Sequence, residues 1–320
     1  MKKRLIVSFS IIVVIIALYF AVGNYFYNFA LNANAEKDFL EDNPHLQASP
    51  FINKSREKEE KALDNKFKEI HTSQSLKITS RDELKLQLRA NYFEQTAPTH
   101  KWAFVVHGYT SKANDMTRWV RNFYEQGFNV VAPDLRGHGA SEGNYIGMGW
   151  HDRLDLMEWI HLVLMMDPDA EIVLFGVSMG AATVLMASGE ELPDNVKVIV
   201  EDCGYSSVAD VFTYQLKDLF SLPEFPFMNA ANTVTNIRAN YDIYEASALT
   251  QVEKSVTPTL FIHGDEDTFV PYEMVNELYE AAPVEKEKLI IEHAGHGEAV
   301  RVSPDIYWAT VWEFVSRFIN

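Results

Sequence analysis

Hydrophobic and polar positions fall into three regimes along the chain. In the first, Leu5 to Val22 are eighteen residues without a charge, of which only Ser8 and Ser10 are polar. At a helical rise of about 1.5 Å they span roughly 27 Å, close to the hydrocarbon thickness of a bilayer. Met1-Lys2-Lys3-Arg4 precedes the run, and Tyr19, Tyr25 and Tyr27 stand near its far end, where aromatic belts lie. Residues 1–23 are therefore expected to form a single-pass anchor, with the N-terminus cytoplasmic and the rest of the chain outside. The alternative is a cleaved signal peptide and a secreted product, with Ala33-Asn34-Ala35 as the small-x-small site. The length of the apolar run and its distance from that site favour the anchor. A buried core helix would need a one-sided polarity that is missing.

The second regime, residues 24–73, reads as a charged stalk or linker. Its stretch NKSREKEEKALDNKFKEI (53–70) is rich in charge and in good helix formers, which predicts a solvated helix with no chemistry assigned to it.

The third regime, 74–320, alternates short apolar runs with helical patterns. Leu76 and Ile78, then Leu84, Leu86 and Leu88, alternate with polar residues around Ser80-Arg81-Asp82-Glu83, predicting an antiparallel hairpin. Unbroken runs follow at Trp102–Val106, Asn129–Ala132, Ile172–Phe175, Val196–Val200, Thr259–Ile262 and Lys288–Ile291. Such runs suit strands buried on both faces of a parallel sheet. Helical segments are expected at 115–126, 150–166, 179–190, 271–282 and 304–318. Strand and helix in alternation mean an α/β fold, a doubly wound, mostly parallel sheet with antiparallel N-terminal edge strands. Residues 204–256 break the rhythm with Pro223, Pro226 and several aromatics, and read as a small helical cap over the carboxyl ends of the strands.

Composition narrows the function classes. A formal charge of −17 repels phosphate backbones, so nucleic acid is not an expected partner. The single cysteine, Cys203, can form no intrachain disulfide and no Cys-based zinc site. Following the apolar run Val196–Val200, it is expected as a small buried hydrophobe.

Gly176-Val177-Ser178-Met179-Gly180 follows one apolar run and opens a helical segment. This is G-x-S-x-G in the strand-turn-helix context of a nucleophile elbow. The glycines relieve a turn too tight for side chains, and the helix start behind Ser178 adds positive potential where an oxyanion forms. A serine that merely caps a helix is the competing reading. Three more motifs follow the same order as in one family. They are His107-Gly108-Tyr109, Asp134-Leu135-Arg136-Gly137-His138-Gly139-Ala140-Ser141, and the pair His263-Gly264-Asp265-Glu266-Asp267-Thr268-Phe269-Val270-Pro271 with Ala294-Gly295-His296-Gly297. With these, residues 75–320 resemble the α/β-hydrolase superfamily, in the branch that mixes serine aminopeptidases, carboxylesterases and monoacylglycerol-lipase-like enzymes.

The resemblance implies the α/β-hydrolase fold and a Ser178–Asp267–His296 triad, with the backbone N–H groups of Tyr109 and Met179 as the oxyanion hole. Asp265 and Glu266 are rivals in the acid loop, and His293 is a rival for the base. Asp267 is preferred because the family's acid stands just before the x-x-Val-Pro segment, and His296 because glycines flank it. His107 and His138 are read as ordering loops, and His151 and His161 do not form a ligand pair. The implied activity is hydrolysis of a small-molecule ester or amide through an acyl-serine, with no cofactor or metal. Ester cleavage leads because the cap is apolar. An aminopeptidase would need an acid to bind the substrate amine, and Glu224, Asp210 and Asp218 are the candidates. Haloalkane and epoxide hydrolases carry aspartate where this chain has Ser178. Non-catalytic binding proteins of this fold lack triad residues, and a single spanning segment does not suit a transporter.

Overall fold

The computed structural model describes residues 2–319, with side chains from Arg4 onward. Met1 and the side chains of Lys2 and Lys3, on which the expected orientation partly rests, lie outside the described residues. In chain order the elements are α1 (Lys2–Ala30), α2 (Lys54–Ile70), β1 (Gln74–Thr79), β2 (Gln87–Phe93), β3 (Lys101–Val106), α3 (Thr117–Glu125) and β4 (Asn129–Pro133). Then come α4 (Asp152–Met166), β5 (Glu171–Val177), α5 (Met179–Ala187), β6 (Val196–Asp202), α6 (Val208–Phe220), α7 (Glu224–Ala239) and α8 (Ala248–Val252). The chain ends with β7 (Thr259–Gly264), α9 (Glu273–Ala281), β8 (Lys286–Ile291), α10 (Ala299–Val302) and α11 (Pro304–Val315).

The eight strands form one sheet in the order β1-β2-β4-β3-β5-β6-β7-β8. The pairs β1–β2 and β2–β4 are antiparallel, and all others are parallel. Unbroken apolar runs are needed because each strand feeds two cores. Along β5, Ile172 and Leu174 point into one core with α4, α5 and α9, while Val173 and Phe175 point into the other with α3 and α11.

The N-terminal hairpin differs from the expected register. Ile78 pairs with Leu88, and residues 80–86 form the connection, so Leu84 lies exposed outside the strand. A polar clasp closes that connection. Ser80 Oγ donates to Asp82 Oδ1 (2.8 Å) and accepts from Leu86 N (2.8 Å), and Asp82 Oδ1 also accepts from Leu84 N (3.2 Å). Side-chain bonding to nearby backbone outcompetes the ladder there.

Helix α1 runs past the apolar stretch to Ala30. Lys37 caps its end, donating to the carbonyls of Phe29 (2.8 Å) and Asn32 (3.0 Å), and burial pulls its ammonium down to about 8. The side chains from Leu5 to Leu18 are exposed. From Tyr19 onward α1 packs on α7. Tyr19 OH meets Thr233 Oγ1 at 2.9 Å, and Arg238 donates to Asn24 Oδ1 (2.7 Å). Gly23 sits at the crossing, where a Cβ would overlap the Ala230 carbonyl.

Residues 31–70 lie along the globular body. Leu31 O accepts from Ile146 N (2.8 Å), and Ser49 Oγ donates to His293 O (2.7 Å). Glu57, Glu60 and Asp64 form an acidic stripe at helical spacing on α2. The stripe meets α3 through Arg118–Glu57 (3.0 Å), Arg121–Glu60 (2.5 Å) and Arg121–Asp64 (2.9 Å), and Phe67 enters the core beside them.

The Arg121 guanidinium is 6% exposed, and removing it leaves Glu60 and Asp64 in a poorly solvated seam with only their longer contacts to Arg56 (3.4 Å) and Arg118 (3.5 Å). Arg121→Ala should lower stability by about 3 kcal/mol. It should also speed protease cleavage between α2 and β1. A thermal midpoint in detergent and a cleavage pattern matching the parent would mean that α2 is not held by this seam.

Candidate active site

The strand β5 ends in a turn that leaves Ser178 at φ 57°, ψ −119°. A non-glycine residue holds that conformation only when its surroundings impose it. Here Ser178 N donates to Asp202 O on β6 (2.8 Å), and α5 begins at the next residue. The two flanking glycines have a steric cause. A Cβ at Gly176 would overlap the Gly180 carbonyl, and one at Gly180 would overlap the Val106 carbonyl of β3.

The loop after β8 brings His296 to this serine, with Nε2 2.8 Å from Ser178 Oγ. Its Nδ1 lies 2.7 Å from Asp267 Oδ2 in the loop after β7. An ionised carboxylate only accepts, so the proton sits on Nδ1 and Nε2 accepts from the serine hydroxyl. Asp267 is buried, and its Oδ1 takes the N–H groups of Phe269 (3.0 Å) and Val270 (2.9 Å). Burial alone would raise its pKa. The charge and hydrogen bonds of His296 and His263 outweigh burial and hold the carboxyl well below the usual range.

The rivals are placed elsewhere. Asp265 Oδ1 accepts from His293 N (2.7 Å), and Glu266 pairs with His293 Nδ1 (2.9 Å) at an exposed edge where His293 stacks on Phe51. His107 is fully buried. Its Nδ1 donates to Gly108 O (2.7 Å) and its Nε2 accepts from Leu135 N (3.0 Å), which orders the loop carrying Tyr109. Burial draws its pKa down to about 3, so the ring is neutral. His138 Nδ1 bonds the Arg136 carbonyl (3.0 Å). The turn around it is held by Asp134, which accepts from Ala113 N and Ala140 N, and by Arg136, bidentate to Asp155 at 2.8 Å on both bonds. His151 bonds Tyr145 OH (2.5 Å), and His161 faces Glu158 at 3.7 Å.

Sequence reasoning passed over three residues behind the site. His263 Nε2 donates to Val270 O (3.1 Å) and faces Asp267 Oδ2 at 3.3 Å. Its place four residues before Asp267 was the available signal. Glu201 and Asp202 end β6, fully buried. Burial raises Glu201 to about 8 and Asp202 to about 6, the latter despite a 2.9 Å bond from Tyr307 OH. Cys203 is buried beside them as expected. Its Sγ and ligand atoms of Asp267 and His296 lie within 4.8 Å of one another. Burial pushes that thiol up, leaving it a neutral and poor ligand, and the other two atoms already bond each other.

In front of Ser178 lies an apolar cavity. Tyr109 and Met179 line it, with Phe212, Phe269 and, from the N-terminal segment, Phe29 and Phe39. Gly108 backs onto the serine, where an added Cβ would lie 3.3 Å from Ser178 Cβ, which sets the Tyr109 loop against that side chain. Met179 is the first residue of α5, where N–H groups lack intrahelical acceptors. Tyr109 OH donates to Ala30 O (2.6 Å), tying that loop to the end of α1.

A sheet of this order with a serine elbow after β5 defines an α/β-hydrolase, and the chain belongs to that superfamily. Residues 97–205 match the family described as serine aminopeptidase, S33, and residues 172–297 match the serine hydrolase (FSH1) family. The uncharacterized protein YqkD of Bacillus subtilis is 28% identical over 214 residues, covering 67% of this chain and 70% of the relative. Among solved structures, the Pyrococcus furiosus esterase Pf2001 superposes with a TM-score of 0.63 at 25% identity, over 78% of this chain and 92% of that one. The Pyrococcus horikoshii acylaminoacyl peptidase shares the fold, with a TM-score of 0.57 at 18% identity over 76% of this chain and 41% of that one. These matches support hydrolase activity.

Glu201 keeps its proton to about pH 8 in the folded chain, whereas the unfolded chain releases it near 4.5. The folded state then binds more protons between those values, so stability falls as pH rises across that window. Glu201→Gln removes this loss. It should match the parent near pH 5 and exceed it by about 3.5 kcal/mol near pH 8. Equal pH slopes in denaturation of the two proteins would show that Glu201 is ionised when folded.

Proposed function

We propose that Ser178 is the nucleophile, His296 the general base and Asp267 the orienting acid of a serine hydrolase that cleaves carboxylic esters. The observation that carries this reading is the hydrogen-bonded chain Ser178 Oγ–His296 Nε2–Asp267 Oδ2 (2.8 and 2.7 Å), which opens on an apolar cavity. His296 takes the serine proton as Oγ attacks the ester carbonyl, and then gives it to the leaving alcohol. Water repeats the sequence and releases the acid. Asp267, held ionised, stabilises the imidazolium between these steps. The N–H groups of Tyr109 and Met179 receive the oxyanion, each contributing about 3 kcal/mol.

Ester rather than aminoacyl amide is favoured by what the three cap acids do. Asp210 accepts from Ser206 and Ser207 at the start of its own helix, Asp218 pairs with His45 (2.9 Å), and Glu224 meets Tyr244 OH (3.4 Å). None of them lines the cavity at Ser178, so none is placed to bind a substrate's amine. The membrane part of the reading rests on α1. Within Arg4–Ala30 an eighteen-residue apolar window has a mean hydropathy of 3.0 and is unburied, as an anchor requires, with the hydrolase body outside the membrane.

The test uses the full chain in detergent, because Phe29 and Phe39 are part of the cavity wall. A fluorophosphonate should label the parent and not Ser178→Ala. Asp267→Asn should lower ester kcat by about 10⁴-fold, since the amide favours the wrong imidazole tautomer. p-Nitrophenyl esters should turn over faster than aminoacyl p-nitroanilides. A folded parent that resists labelling would overturn the nucleophile assignment, and faster anilide cleavage would overturn the ester assignment.

A further inference from the structure

A second apolar cavity adjoins the first. The two share Phe29, Ala30, Phe212, Gln215 and Leu219 as a common wall. The second is bounded on one side by the last turns of α1 and on the other by α6 and α7, including Leu216, Phe220 and Ala231. Its polar lining is slight, since Gln215 already donates to Phe269 O (2.7 Å) and Thr235 to Ala231 O (2.9 Å). Together the cavities mark out an apolar path along α1 from Ser178, interrupted by that shared wall.

That path leads toward the part of α1 read as membrane-spanning. Phe26 and Phe29 meet Phe220 edge-on at 5.3 and 5.1 Å, and Phe227 meets Phe26 at 6.1 Å. One turn further out, Gly23 lets α1 and α7 touch backbone to backbone, and Tyr19 bonds Thr233. Exposed apolar side chains stand on the same two helices, with Tyr25 52% exposed, Phe225 76% and Ile237 69%. A water-facing path would not be rimmed this way, whereas a seat in the headgroup layer would be.

We infer that the two cavities together hold the acyl chain of a long-chain ester resident in the bilayer, and that α1, besides anchoring the chain, forms one wall of the acyl site. This rests on the reading of Ser178 as the nucleophile. The ester carbonyl reaches Ser178 while the chain lies back along Phe29 and Phe26 toward the membrane. The C–O bond of the ester breaks, the alcohol leaves with the proton from His296, and water completes the release of the fatty acid.

Ala231 faces the distal cavity and does not line the cavity at Ser178, so Ala231→Phe should fill the path far from the nucleophile. The full-length protein would be reconstituted in phosphatidylcholine vesicles and assayed with p-nitrophenyl palmitate and p-nitrophenyl butyrate. The quantity read is the palmitate-to-butyrate ratio of kcat/KM, which does not depend on how much of a variant folds. The parent should prefer palmitate, and Ala231→Phe should lower the ratio at least tenfold. A parent that prefers butyrate, or a ratio unmoved by Ala231→Phe, would overturn the acyl-chain assignment. A parent that hydrolyses neither ester points instead to failure of the Ser178 reading, which fluorophosphonate labelling reads separately. For the source of the chain, palmitate ester placed in the enzyme's own vesicles should be hydrolysed faster initially than the same ester in separate vesicles. Equal initial rates would overturn entry from the bilayer.

Discussion

An ionised carboxylate without water around it is costly, and the site is organised around that constraint at Asp267. Its two oxygens are met by the N–H groups of Phe269 and Val270, by His296 and by His263. These partners come from the loops after β7 and β8 and from β7 itself. Satisfying one buried charge therefore fixes both loops against the sheet. The imidazole of His296 is a consequence of that arrangement, turned so that its free nitrogen meets the serine. The elbow at Ser178 is set independently by close approach of backbones at Gly176 and Gly180. Two separate local causes, a charge that needs partners and a turn without room for side chains, converge on one hydrogen-bonded chain.

Behind this chain the balance reverses. Glu201 and Asp202 are buried with fewer partners, and they retain protons where Asp267 does not. The contrast follows from partner supply and from mutual repulsion, since the Asp267 charge itself raises Asp202, and Asp202 raises Glu201. Only Asp267 faces two imidazoles closely enough for attraction to exceed the loss of water.

Much of this was legible in the sequence because it is local or period-bound. Unbroken runs such as Ile172–Phe175 marked strands between two cores, and G-V-S-M-G in its strand-turn-helix setting marked the elbow. What escaped was long-range complementarity. Glu57, Glu60 and Asp64 read as a solvated helix because their partners, Arg118 and Arg121, lie some sixty residues on and share no pattern with them. Likewise nothing between residues 24 and 53 indicated that Phe29 and Phe39 would stand before Ser178, since aromatic residues pack against whatever the fold brings near. The Leu84 register failed for a local reason, a Ser80–Asp82 clasp that alternation cannot reveal. The buried acids at the end of β6 escaped because charge in a sequence reads as surface.

The segment between α1 and α2 is pinned at several points. It is tied at Lys37 to the end of α1, at His45 to Thr268 (2.7 Å), and at Ser49 to His293 and Glu298. A leash would let the body move freely relative to α1 and tolerate added length, as flexible loops do. This segment is closer to a mast stay. It sets how α1 stands against the loops that follow β7 and β8. An insertion of a few residues here would cost little in chain entropy, yet it would slacken the register between α1 and the loops that carry Asp267 and His296.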